Sequence, residues 1–142
     1  MKEILSSLGT NLHFELHKPI IYIAGPMSGL PNNNWEVFFN KEQQLIKAGW
    51  HVINPARMDK DAGILPEAMG EYSYEDCARR DIQVLKTCNA IYMLSGWQHS
   101  KGACWERALA YSWGISRYYE VPRADKEMLK ISSSMPNNPA YK

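Results

Sequence analysis

The chain has 142 residues, of which 45% are hydrophobic and 22% are charged, and its formal net charge is +1. This length suffices for one domain with a buried core, and the nearly balanced charge gives no field that would favour nucleic acid as a partner. With this charge, a small metabolite or a single phosphate group is the easier ligand to accommodate. No apolar stretch approaches the roughly 18 residues that a membrane span requires.

The cysteines are odd in number and have no paired spacing. Cys77, Cys88 and Cys104 are therefore interpreted as buried or idle thiols of a reducing compartment. The N-terminus lacks the continuous apolar region of a secretory signal, so we expect a cytoplasmic protein.

The first half of the chain opens with residues of mixed character at 1–18, interpreted as an N-terminal extension. The apolar run Ile20–Ala24 then predicts a short strand covered on both faces. Asn34 is a candidate N-cap for a helix that ends at Gly49, and Pro55 stops a second predicted strand over 50–54.

The second half begins with a long loop over 55–72 that has room for a short helix. A helix is predicted over 74–86, a third buried strand over 89–95, a helix over 102–114 and a fourth strand over 117–121. The signals weaken beyond Pro122. We therefore place one domain at 19–135 and a loose tail at 136–142.

Strands that alternate with helices predict a parallel sheet with helices on both faces. The expected fold is an α/β, flavodoxin-like or Rossmann-like three-layer sandwich with four or five parallel strands. Ligands of such sheets bind beyond the carboxyl ends of the strands, where the segments 25–29, 54–57 and 95–102 lie.

Asp81 is the first candidate catalytic residue. Helical spacing places it on one face with Tyr74, Ala78 and Leu85, where a carboxylate is costly unless it is paired or opens on a cavity. The alternatives from the residues alone are an ion pair with a neighbouring arginine (Arg79 or Arg80) or a place at the wet edge of the helix.

Glu106 is the second candidate, because it follows the start of a predicted helix. The helix N-terminus is expected to favour its ionised form, which is suited to attack a sugar carbon as in retaining glycosidases. The alternative is that glutamate is simply favoured in first turns.

The segment 25–29 follows the first strand and contains two glycines. Gly25 and Gly29 let backbone approach a ligand, and Ser28 can hydrogen-bond a hydroxyl or a phosphate; Pro26 and Met27 complete the loop. It matches neither a dinucleotide-binding fingerprint nor a P-loop, and a plain tight turn is the alternative.

Two segments together resemble the nucleoside 2-deoxyribosyltransferase-like superfamily, which includes deoxynucleoside 5′-monophosphate N-glycosidases. They are Tyr22–Gly29 (YIAGPMSG) and Gly96–Glu106, with the pattern GW…S.GA..E. The closer likeness is to a branch of unassigned function that is frequent in phages and prophages. The resemblance covers roughly residues 19–121.

The resemblance implies roles for matching positions. Tyr22 and Gly25 would border the sugar pocket, Glu106 would form a glycosyl-enzyme intermediate, and Asp81 would handle the proton of the base or of water. Ser100 matches the serine that binds the 5′-phosphate in the monophosphate hydrolases, where nucleoside transferases carry an aspartate.

Further residues complete the expected binding site. Lys101 lies next to Ser100 and would help to neutralise a phosphate. Trp97 is a candidate to flank the sugar or base, although it is equally a core candidate, and Gly102 belongs to the same loop. Ser133 and Met135 match a segment that a partner subunit contributes, which implies a homodimer.

The sequence therefore predicts cleavage or transfer at the N-glycosidic bond of a (deoxy)ribonucleoside or its 5′-monophosphate, without a metal or redox cofactor. One rival is a nucleotide-binding, sensing or sequestering protein of phage origin without turnover. Another is a structural or host-interaction protein with a vestigial pocket.

Overall fold

A computed structural model describes residues 18–65 and 74–121. The predicted arm before Lys18, the loop residues 66–72, the end of the domain at 122–135 and the tail at 136–142 lie outside these ranges. No helix in the described ranges combines the length and apolar character that crossing a membrane requires.

Every predicted strand and helix within the described ranges is present, with ends that differ by one or two residues. The predicted long loop at 55–72 contains the short helix α2. The elements are β1 Ile20–Ala24, α1 Trp35–Lys47, β2 His51–Ile53, α2 Pro55–Asp61, α3 Tyr74–Leu85, β3 Ala90–Met93, α4 Lys101–Ser112 and β4 Ser116–Tyr119.

The four strands form one parallel sheet in the order β2-β1-β3-β4. This order, with helices between the strands, is that of a flavodoxin-like three-layer sandwich, as predicted. Strand β1 is central, and its Tyr22 lies between Ile53 of β2 and Ile91 of β3.

Each face of the sheet carries its own core. Ile21 and Ile23 pack with Phe38 and Leu45 of α1 on one face. Tyr22 and Ala24 point to the other face, because side chains alternate along a strand. Their core includes residues of α3, β3 and α4: Leu85, Ile91, Met93, Ala103 and Ala110. The phenol of Tyr22 is therefore directed at the layer formed by α3 and α4.

The expected cap of α1 is replaced by a different contact. The helix begins after Asn34 as predicted, but the Asn34 side chain makes no capping hydrogen bond and donates instead to the Pro26 carbonyl at 2.9 Å. Asn32, Asn33 and Asn34 all have positive φ, a conformation that asparagine tolerates better than most residues. This contact ties the start of α1 to the loop that follows β1.

Candidate active site

Glu106 lies on α4 and reaches the central strand. The Tyr22 hydroxyl donates a hydrogen bond to its Oε2 atom. Because Tyr22 is completely buried, the contact fixes the carboxyl at the boundary between the sheet and α4. The site therefore begins with a carboxyl anchored to a rigid strand.

The environment of Glu106 differs from the prediction. Ser100 is the N-cap of α4 and no acidic residue occupies the first turn, so Glu106 lies in the second turn, where the helix terminus has little effect. Burial, together with the charge of Asp81, raises the pKa of Glu106 to about 8, although the Tyr22 hydrogen bond opposes the rise. The prediction that the helix N-terminus keeps Glu106 ionised is wrong, and its protonated form prevails at neutral pH.

Asp81 lies on α3 and is held by an arginine. Arg80 donates from Nε and Nη2 to the Asp81 Oδ1 atom at 2.9 and 2.8 Å. Burial raises the pKa of Asp81 to about 6; Arg80 and a hydrogen bond from Tyr22 lower it, and the charge of Asp59 raises it. The ion pair that the sequence offered as an alternative is present, and Asp81 also interacts with Tyr22.

Tyr22 thus links the two candidate carboxyl groups. Burial, and then the charge of Glu106, raise the pKa of Tyr22 well above its ordinary value, so the phenol stays a neutral donor. The carboxyls also act on each other, since the charge of Asp81 raises the pKa of Glu106. Between about pH 6 and about pH 8 the pair holds one proton, and the burial of Glu106 favours the proton there.

The sequence did not identify Asp59, which belongs to the same network. It lies on α2, is 2% exposed, and its Oδ1 atom is 2.8 Å from Arg80 Nη2. This oxygen has no directed hydrogen bond within the described residues, so the ion pair with Arg80 offsets its burial. Helix α2 is too short for its periodicity to reveal a buried carboxylate.

The loop after β1 has a packing reason for its first glycine. A Cβ atom at Gly25 would lie 2.8 Å from the Leu94 Cβ, so no larger residue fits without displacing buried Leu94. Pro26 and Met27 are half-buried, while Ser28 and Gly29 are exposed at the rim. The exposed residues Ser28 and Gly29 can contact a ligand, whereas packing against Leu94 is sufficient to explain why position 25 is a glycine.

Ser100 has a structural task as the N-cap of α4. Its hydroxyl oxygen accepts a hydrogen bond from the Ala103 N–H at 3.1 Å, which leaves the hydroxyl proton available for a ligand. Lys101 is exposed beside it and Gly102 is half-buried. The residue is therefore compatible with both of its sequence interpretations, helix entry and phosphate binding.

Trp97 occupies the core rather than a surface. It is 3% exposed, its ring lies 5.9 Å from that of Tyr119, and the Arg107 guanidinium stacks 5.0 Å from it. This arrangement favours its core alternative. The other two predicted binding residues, Ser133 and Met135, lie outside the described residues.

A pocket of about 340 Å³ lies between α3 and Trp105 of α4, and neither Asp81 nor Glu106 lines it. It opens beside the half-exposed indole of Trp105. Its lining residues are Glu75, Ala78, Arg79, Ile82, Gln83 and Trp105.

Fold and site together define a flavodoxin-like α/β protein with two interacting carboxyl groups against a buried tyrosine of its central strand. A family model described as a domain of unknown function, DUF4406, matches residues 19–119, and the chain belongs to this family. No curated protein and no solved structure matches the chain. The roles implied by the resemblance therefore enter below as proposals.

Proposed function

We propose that this protein cleaves or transfers the N-glycosidic bond of a (deoxy)ribonucleoside, preferentially as its 5′-monophosphate. The observation that carries the proposal is the hydrogen bond from the buried Tyr22 hydroxyl to Glu106, with Asp81 close enough to influence the pKa of both Tyr22 and Glu106. Paired carboxyl groups are what retaining glycosidases use at an electrophilic sugar carbon. The resemblance of the sequence to the deoxyribosyltransferase-like superfamily points to the same chemistry.

In the proposed reaction Glu106 attacks C1′ of the sugar. The bond from C1′ to the base nitrogen breaks, and the base leaves with a proton supplied by Asp81. Water then attacks C1′ of the glycosyl-enzyme, gives its proton to Asp81 and releases Glu106. A second base in place of water gives transfer. Tyr22 holds the Glu106 carboxyl by donating to it throughout.

The attack needs an ionised Glu106 and a protonated Asp81. The pKa values of about 8 for Glu106 and about 6 for Asp81 give the opposite order in the free protein, so the substrate complex has to reverse it. The two states, with the proton on Glu106 or on Asp81, each contain one proton on the pair of carboxyls. We therefore expect kcat/KM to follow a bell-shaped pH profile with apparent pKa values near 6 and near 8. These values describe the two carboxyls titrating together rather than either residue alone.

The test is incubation of the protein with a panel of nucleosides and their 5′-monophosphates, with free base as the readout. Glu106→Ala should abolish release of base. Asp81→Asn should reduce the rate by about 10²–10⁴-fold, the usual contribution of general acid assistance, without abolishing binding. Glu75→Gln, an exposed change on α3, is the matched control. Equal release of base by wild type and Glu106→Ala would refute the assignment of the nucleophile.

The preference for a monophosphate depends on Ser100 and is tested separately. Aspartate caps a helix as well as serine, so Ser100→Asp should keep α4 intact while adding a charge that repels a phosphate dianion. We expect KM for a monophosphate to rise and KM for the nucleoside to stay unchanged. Equal effects on the two substrates would argue against phosphate binding at this position.

A second candidate function is nucleotide binding or sequestration without turnover. The ion pair that holds Asp81 and the raised pKa of Glu106 favour it, because at neutral pH neither carboxyl has the charge that the reaction needs. This function predicts nucleotide binding that survives Glu106→Ala, with no free base from wild type.

The proposed setting is a homodimer in the cytoplasm. Cys77, Cys88 and Cys104 are free thiols, and the proposal of a reducing compartment rests on their odd number and unpaired spacing in the sequence. The homodimer follows from the resemblance, and light scattering coupled to size-exclusion chromatography tests it.

A further inference from the structure

Arg80 joins α3 to α2 through two carboxylates, Asp81 on its own helix and Asp59 on α2. Its Nη2 atom lies 2.8 Å from Asp59 Oδ1 on α2 and 2.8 Å from Asp81 Oδ1 on α3. Its Nε atom donates to the same Asp81 oxygen at 2.9 Å. These contacts of Arg80 with Asp81 all fall on Oδ1. Asp81 also interacts with Tyr22, and Tyr22 donates to Glu106, so Arg80 acts on one oxygen of a carboxyl that belongs to the candidate site.

We propose that Arg80 and Asp59 are positioning residues for Asp81. The guanidinium of Arg80 fixes one carboxyl oxygen of Asp81. The Asp59 carboxylate fixes the guanidinium and offsets part of its positive charge. The inference rests on the proposed function, because there Asp81 is the residue that gives and takes the proton. Neither Arg80 nor Asp59 needs to touch the substrate.

The second carboxylate has a clear physical effect. An arginine with a single partner favours the ionised form of that partner, and such a carboxylate is a poor proton donor near neutral pH. A buried negative charge behind the arginine offsets this influence. Accordingly, Arg80 lowers the pKa of Asp81 and Asp59 raises it, and with burial the pKa settles at about 6. Asp81 can then both give and accept a proton.

The titratable and charged groups around Asp81 come from each element packed against it. They are Cys77 and Arg80 on α3, Asp59 on α2, Tyr22 on β1 and Glu106 on α4. Of these, Arg80 and Asp59 can be replaced while the hydrogen bond between Tyr22 and Glu106 keeps both of its partners, although the charge of Arg80 also lowers the pKa of Tyr22.

The experiment measures the titration of the Asp81 carboxyl carbon by NMR in the full-length protein without substrate. Asp59→Asn removes one of the two carboxylates paired with Arg80. Asp81 is then the remaining anionic partner of the guanidinium in this cluster, so the pKa of Asp81 should fall. Arg80→Gln removes the cation, so the pKa should rise, each by about one unit or more. Arg80→Lys keeps the charge and supplies the measurement if Arg80→Gln does not fold, with a smaller displacement expected. Arg79→Gln, an exposed neighbour, is the control and should change nothing.

Opposite displacements by the two variants support the inference, and a merely structural role would not produce them. Displacements in the same direction, or none in either, would overturn it. The apparent pKa near 6 in the pH profile of kcat/KM should shift in the same direction as the pKa of Asp81 measured by NMR, while KM stays unchanged. Because the titration needs no turnover, failure to release base from any substrate would refute the proposed function and leave the result on Arg80 and Asp59 standing.

Discussion

Replacing Glu106 by glutamine tests the electrostatics of the site without any substrate. The folded protein raises the pKa of this carboxyl from 4.5 to about 8. At any pH between these values the folded state binds more protons than the unfolded state, so the free energy of unfolding falls as pH rises through this window. Glutamine is neutral at every pH and removes this slope while keeping an oxygen that can accept from Tyr22.

The magnitude follows from the difference between the folded and unfolded pKa values. Each pH unit in the window corresponds to about 1.4 kcal/mol, which gives a ceiling of about 5 kcal/mol for ionising Glu106 in the folded protein. Glu106 retains partial exposure, and solvent reduces the effect. We expect wild type to lose about 2–3 kcal/mol more than Glu106→Gln between pH 5 and pH 8.

Urea unfolding followed by tryptophan fluorescence, repeated at half-unit steps of pH, measures this difference. The contributions of histidines and of carboxyls away from the site are common to both proteins and cancel in the comparison. Glu75→Gln, at an exposed position of α3, should run parallel to wild type. Parallel curves for wild type and Glu106→Gln would refute the reasoning, because Glu106 would then have nearly the same pKa in both states.

Three further substitutions test the contacts that shape the site. Tyr22→Phe removes the hydrogen-bond donor to Glu106. We expect the free energy of unfolding to fall by about 1–3 kcal/mol and the pKa of Glu106, followed by carboxyl NMR, to rise further. An unchanged pKa of Glu106 would contradict this. Gly25→Ala places a Cβ against Leu94 and should cost about 1–3 kcal/mol in urea unfolding; wild-type stability would show that the loop moves freely. Ser100→Ala removes the cap of α4 and should cost about 1 kcal/mol, which Ser100→Asp should restore; equal losses in both would contradict a capping role.

The order of strands and helices was predictable because local signals agreed with the packing. The apolar runs of β1 and β3 are buried on both faces, as their composition indicates. Gly49 ends α1 with a φ of 102°, and Pro55 begins α2 directly after β2. The cap of α1 was not predictable, because Asn34 can either cap a helix or bond to a distant carbonyl, and only tertiary structure places Pro26 within its reach.

The candidate site was predictable in part. Spacing alone placed Asp81 on the inner face of its helix, and only the resemblance paired it with Glu106. Asp59 was not found, because its burial depends on how a short helix packs. The protonation of the pair was not predictable either, since burial and neighbouring charges set it, and both are properties of the folded chain.

The proposed mechanism needs the two pKa values in the reverse order, and the free-energy cost of reversing them is small. Moving the proton from Glu106 to Asp81 in the free protein costs about 3 kcal/mol, because their pKa values of about 8 and about 6 differ by about two units. Enzymes commonly lower barriers by about 8–23 kcal/mol, so this cost is small beside what a site supplies. The positive charge that develops at C1′ also favours ionised Glu106 and disfavours its protonated form. Because this charge exists only along the reaction, the reversal is strongest in the transition state, where stabilisation raises the rate.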